Sequence, residues 1–392
     1  MSTSERAEVV VIGAGGLGSA TAWQLARRGV DVMLLEQFAF GHSNGASHDT
    51  SRILRRSYHT PTYVRLAGEA YHDWAELETA SGEQLVTITG GLDLFPPDAA
   101  IPAIDYTESL AACGVPFALY TAAEVSANWP ALSLPAGTVA LYQADTGMVP
   151  AGRSTRTMQR LARDHGARLR DNAPVTGLRD LGDGVEILAG DLVVRADRVV
   201  LTADAWTNDV LRHLGTTLPL TVLREQVTYF QPATPAMFGA DRLPVWIWMD
   251  DPSFYGFPTY AEGGHTALVK AAQDCGGAPT TATTRSFEPD PVALHRLTGF
   301  LHRLLPGVGG PAHTVTCLYT LTPDRDFVLS AVPGHPSVFI GLGAAHAFKF
   351  APTFGRILAD LATLGATTSP IDDFTMDRPA LIDPTFQTTW LV

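Results

Sequence analysis

The chain has 392 residues, of which 46% are hydrophobic and 17% are charged, so it is long and apolar enough for a sizeable core. Its 27 basic and 40 acidic residues give a formal net charge of −13, which disfavours binding to nucleic acid or to an anionic membrane. The three cysteines form no CxxC pair, which argues against a disulfide framework and against a metal site of the structural zinc type. The sequence contains neither a signal-peptide pattern nor an apolar run of about 20 residues, so we expect a cytoplasmic protein without a membrane span.

The N-terminal segment predicts a βαβ unit. Residues 8–12 form a short apolar run typical of a buried parallel strand, and 17–28 have the pattern of a helix that Gly29 ends. Residues 31–35 then predict a second strand, with Glu36 at its end.

Glycines fill the turn between the first strand and the helix. Gly13, Gly15 and Gly18 form a GxGxxG frame, which permits a tight turn and the close approach of a pyrophosphate to a helix N-terminus. Glu36 is placed to accept hydrogen bonds from a ribose. The frame predicts a dinucleotide site without separating FAD from NAD, and a purely structural turn is the alternative.

The rest of the chain alternates between two textures. Residues 39–52 form a polar loop that is too long for a simple connection, which indicates a functional loop. Residues 218–270 are rich in β-branched and aromatic residues at strand spacing, which predicts an antiparallel sheet. Further predicted elements are helices at 62–79, 151–165, 205–214 and 352–363 and strands at 86–95, 191–202 and 337–343.

Four segments carry a family resemblance. They are HDTSRILRRSY (48–58), FYGFP (254–258), TCLYTLTPDRDFVL (316–329) and AAHAFKFAPTFGRILADL (344–361). In this order, and together with the N-terminal glycines, they resemble the monomeric sarcosine oxidase family of amine-oxidising flavoproteins. That family includes N-methyltryptophan oxidase and the imine oxidase of nikkomycin biosynthesis, and the resemblance covers nearly the whole chain.

The resemblance implies an α/β (α+β) fold with two interleaved domains. A glutathione-reductase-like FAD-binding domain is expected at 1–84, 145–217 and 318–392. A substrate domain built on an antiparallel sheet is expected at 85–144 and 218–317. The resemblance also implies a monomer that binds FAD, a small amino acid substrate and O2.

One cysteine matches the position at which the family attaches its flavin. The resemblance implies that Cys317 carries FAD covalently through the 8α position of the flavin. The alternative is a small buried hydrophobic residue. Cys113 and Cys275 lack this context and are expected to be structural.

Three cations match family positions at the substrate. Lys349 lies between aromatic residues, where a buried lysine needs an anionic partner. Arg55 follows Arg52 by three residues, so both would project to one side if this loop turned helically. The resemblance implies that Arg55 and Lys349 hold the substrate carboxylate and that Arg52 lies against the flavin, whereas solvated surface charges are the alternative.

Four further residues match the family's catalytic region. The resemblance assigns Lys270 to the activation of O2 near the flavin, where a fixed positive charge would stabilise superoxide. Tyr255 and Tyr319 match aromatic positions near the substrate, and His346 falls in the segment against the flavin. A surface lysine, ordinary core tyrosines and a structural histidine are the alternatives.

Two positions depart from the family pattern. Asp274 stands where sarcosine and N-methyltryptophan oxidases have a histidine, so it could bind a cationic amine or a polar group on a larger substrate, or it could face solvent. Asp204 stands where the family commonly has glycine.

The resemblance thus implies an FAD-dependent oxidase of the C–N bond of a secondary or cyclic amino acid, which produces hydrogen peroxide. An imine or cyclic amino acid oxidase of secondary metabolism is the nearest alternative. A flavin-binding protein without turnover and an NAD-dependent dehydrogenase are more remote ones.

Overall fold

A computed structural model of the chain describes residues 3–264 and 267–389. It begins with the βαβ unit formed by β1 (Thr3–Ile12), α1 (Gly16–Ala26) and β2 (Val32–Leu35). β1 pairs in parallel with β2, whose four residues are all buried. The predicted N-terminal unit is confirmed.

The remaining elements follow in chain order. As far as Val149 they are β3 (Arg52–Leu54), α2 (Pro61–Ser81), β4 (Thr87–Ile88), β5 (Gly91–Phe95), α3 (Ala103–Ala112), β6 (Ala118–Thr121), α4 (Ala122–Asn128), β7 (Val139–Gln143) and β8 (Gly147–Val149). As far as Gln231 they are α5 (Ala151–Asp164), β9 (Arg168–Arg170), β10 (Val175–Asp180), β11 (Val185–Ala189), β12 (Leu192–Leu201), α6 (Thr207–Leu211) and β13 (Thr221–Gln231). The last ones are β14 (Val245–Trp248), β15 (Phe254–Phe257), β16 (Val269–Gln273), β17 (Ala278–Thr280), α7 (Pro291–Leu304), β18 (Gly310–Leu321), β19 (Val328–Val332), β20 (His335–Leu342), α8 (Ala351–Leu364) and α9 (Pro379–Ile382).

The first sheet has a parallel centre. Strands β9, β2, β1, β12 and β20 are neighbours in parallel pairings, whereas β10, β11 and β19 extend the sheet with antiparallel ones. Helix α1 packs against α5 and α8. A Cβ on Gly355 of α8 would lie 2.5 Å from the Cβ of Ala20, so the two helices approach more closely than larger residues would allow. Because the parallel strands share a direction, their carboxyl ends meet at one edge of the sheet.

The second sheet is largely antiparallel. Its strands run in the order β17-β13-β16-β15-β14-β5-β7-β6, with β18 on β13, and only β5 and β14 pair in parallel. The predicted antiparallel sheet over 218–270 is confirmed by β13 to β16. Strands β3, β8 and β4 form a small third sheet.

The two main sheets take their strands from alternating stretches of chain. The first sheet uses residues 3–35, 168–201 and 328–342, and the second uses 91–143 and 221–321. The predicted α/β (α+β) fold is therefore confirmed, while the exact domain division remains a proposal. Within the described ranges, none of the helices combines the length and apolar character needed to cross a membrane.

Two predicted elements differ in detail from the observed ones. The strand predicted over 86–95 is divided into β4 and β5, because Gly90 between them has a left-handed φ of 70°. The helix predicted over 205–214 is reduced to α6 with a 3-10 turn on each side, and it ends at Gly215, whose φ is 74°.

Candidate active site

A cavity of about 580 Å³ lies at the carboxyl edge of the parallel strands. The ends of β1, β2, β12 and β20 contribute to its wall, together with the polar loop predicted to be functional. Its lining includes Gly13, Gly15, Glu36, residues 45–50, Thr202, Asp204 and Gly343. This is the edge at which nucleotide cofactors bind in folds of this class.

The glycine turn at this edge is sterically required. Gly13 has a φ of 97°, and a Cβ there would lie 2.5 Å from the carbonyl oxygen of Thr202. A Cβ on Gly18 would overlap the carbonyl oxygen of Gly13. The backbone N–H of Gly16 donates to Ser47 Oγ at 2.9 Å, which holds the polar loop against the start of α1. The turn therefore fits a pyrophosphate at a helix N-terminus.

Glu36 follows β2 at the wall of the same cavity. Its carboxylate accepts from the backbone N–H of Ala14 at 2.8 Å and of Phe38 at 3.0 Å, and His42 Nε2 lies 3.3 Å away. Burial raises its pKa, but these three groups outweigh burial and lower the pKa below its ordinary value. Glu36 is therefore an ionised acceptor, which fits a ribose and disfavours a 2′-phosphate.

A smaller cavity of about 120 Å³ adjoins the first, since Ala345 and Phe348 line both. It contains seven residues that the sequence singled out, namely Arg52, Arg55, Tyr255, Asp274, Tyr319, His346 and Lys349. The remaining lining residues are Ile53, Ile247, Ser253, Phe257 and Arg325. Two cavities of different size, joined by a shared wall, fit a large cofactor and a small substrate.

Arg52 and Arg55 reach the small cavity from an extended segment. The helical turn considered for this loop is wrong, because Arg52 begins strand β3 and pairs with Val149. Arg52 donates to the carbonyls of Ala46, His48 and Ser51 at 2.8–3.0 Å. These bonds fix its guanidinium where the loop meets the strand.

Arg55 is buried just beyond the strand. Its Nη1 donates to Asp93 at 3.1 Å, and its guanidinium lies 4.6 Å from the ring centre of Tyr58. Burial alone would lower the pKa of Arg55, but Asp93 more than offsets it, so Arg55 stays charged. Asp93 was missed by the sequence analysis. An acidic residue inside the apolar run of β5 was the signal that could have identified it.

Lys349 enters the cavity from a 3-10 turn (Ala347–Phe350) before α8. Its Nζ donates to the carbonyl of His346 at 3.1 Å and lies 5.6 Å from the ring centre of Tyr58. Among the residues with described side chains, Lys349 forms no ion pair with a carboxylate. Burial, Arg55 and Arg325 lower its pKa well below the ordinary value, although Asp274 and Asp93 oppose this. A substrate carboxylate bound next to Lys349 would offset the unfavourable burial of its ammonium group.

Asp274, at the end of β16, faces the cavity rather than bulk solvent. Its two oxygens accept from Nη1 and Nη2 of Arg325 at 2.6 and 2.9 Å. The two side chains are only 5% and 19% exposed, Arg325 being the more buried. Arg325 was missed by the sequence analysis, and only its position in the turn TPDRD pointed to it.

The aromatic residues of the cavity are uncharged. The hydroxyls of Tyr255 and Tyr319 lie 3.3 Å apart, and burial raises the pKa of each. His346 Nε2 lies 3.0 Å from the carbonyl oxygen of Arg325, so this nitrogen carries the hydrogen. Burial and the nearby cations Arg325 and Lys349 lower the pKa of His346 well below 6.5. The imidazole is therefore neutral and supports the turn that holds Arg325.

Lys270 lies outside both cavity linings, next to Arg52. Its Nζ is 2.7 Å from Asp49 Oδ2 and donates to the carbonyl of Ser51 at 3.0 Å. Burial lowers the pKa of Lys270 to about 8, and Asp49 limits the fall. Lys270 is thus mostly charged at neutral pH. Asp49 was missed, although it belongs to the loop that was predicted to be functional.

Cys317 lies on β18 opposite Glu225 and is buried and free. Its neighbour Leu318 lines the large cavity, and Tyr319 lines the small one. Burial raises the pKa of the thiol to about 11, whereas the charges of Arg52 and Lys270 lower it. Cys317 itself belongs to neither lining, and the two residues that follow it on β18 each line one of the cavities.

Comparison with known proteins agrees with this arrangement. The family model described as FAD dependent oxidoreductase matches residues 8–361. A monomeric sarcosine oxidase of Streptomyces avermitilis is 33% identical over 383 residues, which cover 95% of this chain and 98% of that protein. The peroxisomal sarcosine oxidase of Homo sapiens is 33% identical over 91% of this chain and 92% of its own length. The open form of NikD, an amino acid oxidase essential for nikkomycin biosynthesis, superposes with a TM-score of 0.86 at 29% identity, with 95% and 97% of the two chains covered. The chain therefore belongs to the family of FAD-dependent oxidoreductases.

Proposed function

We propose that this protein is an oxidase that uses FAD to oxidise the C–N bond of a secondary or cyclic amino acid. The observation that carries the proposal is the small cationic cavity that adjoins the large one at the carboxyl edge of the sheet. The similarity to sarcosine oxidases over nearly the whole length of the chain supports the same substrate class.

The substrate carboxylate is held by Arg55 and Lys349. Both line the small cavity, and Lys349 has only a carbonyl and aromatic rings as its nearest described partners. A guanidinium and an ammonium together suit a carboxylate, because each supplies charged N–H donors. Arg52 and Arg325 add further positive charge to the same cavity. That charge lowers the pKa of a bound amine and so favours the neutral, oxidisable form.

Bound FAD would supply the two-electron acceptor for the C–N bond and return the electrons to O2 as hydrogen peroxide. The residues that fit its dinucleotide part are Gly13, Gly15, Gly18 and Glu36. We propose that Cys317 carries the flavin covalently, because the next two residues of β18, Leu318 and Tyr319, line the large and the small cavity. Lys270 provides a fixed positive charge for O2, since its pKa of about 8 keeps it protonated at neutral pH.

Oxidation of a cyclic imino acid is the second candidate. It is supported by the similarity to NikD and by Asp274, which stands in the small cavity at the position where sarcosine oxidases have a histidine.

The three cysteines are free, which supports a reducing compartment such as the cytoplasm.

The test is a screen for peroxide release. Purified holoenzyme is incubated with sarcosine, N-methyl aromatic amino acids, proline, pipecolate and unsaturated cyclic imino acids. We expect turnover of at least one secondary or cyclic amino acid and bleaching of the flavin band under anaerobic conditions. A yellow protein that no amine bleaches would instead identify a flavin-binding protein without turnover.

A further inference from the structure

One wall of the small cavity is a buried ion pair between Arg325 and Asp274. Both carboxylate oxygens of Asp274 are engaged, at 2.6 and 2.9 Å. A carboxylate held by two N–H donors of one guanidinium is largely neutralised. Asp274 is therefore poorly suited to receive a cationic group of a substrate.

The turn that carries Arg325 has a defined and unusual backbone. Arg325 has a left-handed φ of 61°, which an arginine rarely adopts. Its N–H donates to the carbonyl of Thr322 at 3.2 Å, and its carbonyl accepts from His346. At the residue before it, Arg378 binds both oxygens of Asp324 at 2.7 and 2.9 Å. These contacts hold the backbone on both sides of Arg325, whose side chain lines the small cavity.

The charges around the cavity do not balance. Among its described lining residues, Arg52, Arg55 and Arg325 are cationic and Asp274 is anionic, and Lys349 adds a further positive charge once a bound carboxylate offsets its burial. Asp93 adds one carboxylate behind Arg55. With Lys349 protonated beside a bound carboxylate, four cations less two carboxylates leave a formal surplus of two positive charges on the protein side. Because an uncompensated buried charge is unfavourable, a ligand with two negative charges fits this cavity better than a ligand with one.

We infer that the substrate carries two carboxylates, one held by Arg55 and Lys349 and a second one read by the Arg325–Asp274 pair. The inference rests on the proposed function and narrows its substrate class to N-alkylated aminodicarboxylic acids. A guanidinium has five N–H donors in one plane, so one arginine can serve two carboxylates. Asp274 then acts as a positioning residue that fixes the plane of Arg325.

The second carboxylate could lie on the side chain or on the nitrogen substituent. The two sources share the same chemistry and are separated by the choice of probe. N-methyl-L-glutamate tests the side chain, with its amide N-methyl-L-glutamine as the neutral isostere. N-carboxymethylglycine tests the nitrogen substituent, with sarcosine as its counterpart.

The experiment compares these pairs in anaerobic flavin reduction and in binding. Two redox-inert thioethers, thiodiacetate and (methylthio)acetate, give dissociation constants by calorimetry without turnover. We expect the dicarboxylate of at least one pair to be preferred by about tenfold to a hundredfold, the range of a hydrogen-bonded charge. Thiodiacetate should show the same preference over (methylthio)acetate when that pair is the one with N-carboxymethylglycine. In the double variant Arg325→Gln/Asp274→Asn this preference should fall to about twofold or less. The double variant removes both charges, so neither partner remains buried alone.

Arg56→Gln is the matched control. Arg56 faces Tyr71 and Asp145 outside the cavity lining, so this variant should leave the preference for dicarboxylates intact.

The outcomes separate the inference from the proposed function. Equal or better use of the neutral partners overturns the inference and leaves the proposed function standing. A preference for dicarboxylates that survives in the double variant also overturns it, because Arg325 would not be the group that reads the second charge. If no secondary or cyclic amino acid of either kind reduces the flavin, the proposed function itself fails.

Discussion

Replacement of Asp49 by asparagine tests how the protein maintains the charge of Lys270. Asp49 Oδ2 lies 2.7 Å from Lys270 Nζ, and both side chains are buried. Burial lowers the pKa of Lys270 to about 8, and Asp49 is the largest factor that opposes the fall. Asp49→Asn keeps the shape of the side chain and removes only its charge.

The size of the effect follows from that pKa. Loss of an opposite charge at this distance lowers the pKa of a lysine by about 1–3. A fall of about 1 reduces the protonated fraction of Lys270 at pH ~7.5 roughly threefold, and a fall of about 2 reduces it roughly 25-fold. If the charge of Lys270 accelerates the reaction with O2, reoxidation of the flavin should slow by the same factor.

The assay is stopped-flow measurement of both half-reactions as a function of pH. In the wild type, reoxidation should slow as the pH rises through about 8, because Lys270 loses its proton there. In Asp49→Asn the same decrease should occur at lower pH, with flavin reduction by substrate changed much less. Lys270→Met gives the limit, a loss of about 10² or more in reoxidation at all pH values.

Tyr229→Phe is the control for Asp49→Asn. The Tyr229 hydroxyl donates to Asp49 at 2.6 Å, so this change removes a hydrogen bond but no charge. It should move the pH profile much less than Asp49→Asn. An unchanged reoxidation profile in Asp49→Asn, or equal slowing of both half-reactions, would show that Asp49 does not maintain a charge on Lys270 that the reaction with O2 uses.

Three further predictions concern the cofactor side. Denatured wild-type protein should retain flavin fluorescence on a gel and Cys317→Ser should not, whereas flavin released from the wild type would exclude the covalent link. Gly18→Ala should abolish flavin incorporation, measured by absorbance, because the new Cβ would overlap the carbonyl of Gly13; normal incorporation would contradict the steric argument. Burial raises the pKa of Asp204 to about 6, and this residue has a left-handed φ of 47°. Because a raised carboxyl pKa means that stability is lost as the pH rises towards and through that value, Asp204→Gly should increase the free energy of unfolding at pH ~8 by about 1–4 kcal/mol. Denaturant melts that show no gain would exclude this origin of strain.

The features that the sequence predicted correctly are those that depend on neighbouring residues of the backbone. Gly13 and Gly18 could be identified because a strand, a tight turn and a helix follow one another directly, and Glu36 because it ends the next strand. The segment around Arg52 and Arg55 was harder. Its spacing suggested a helical turn, but pairing with Val149 makes it a strand, and such pairing with a distant partner leaves no local pattern.

Long-range side-chain pairs could not be predicted. Asp274 was identified as a departure from the family, yet its meaning depends on Arg325, 51 residues away. The partnerships of Asp49 with Lys270 and of Asp93 with Arg55 are of the same kind. Each requires two distant segments to be packed together before the charge of either group can be interpreted.

The wall shared by the two cavities constrains how such an enzyme can diverge. Phe348 lines both cavities, and a Cβ on Gly16 of the glycine turn would lie 2.8 Å from its ring. A substitution of Phe348 would therefore change the shape of the cofactor cavity and the shape of the substrate cavity together. Substitutions at Ser253 or Ile247, which line the small cavity but not the large one, would change the space for the substrate without altering the cofactor cavity. Changes at those two positions are therefore expected to alter substrate preference while the protein retains its flavin.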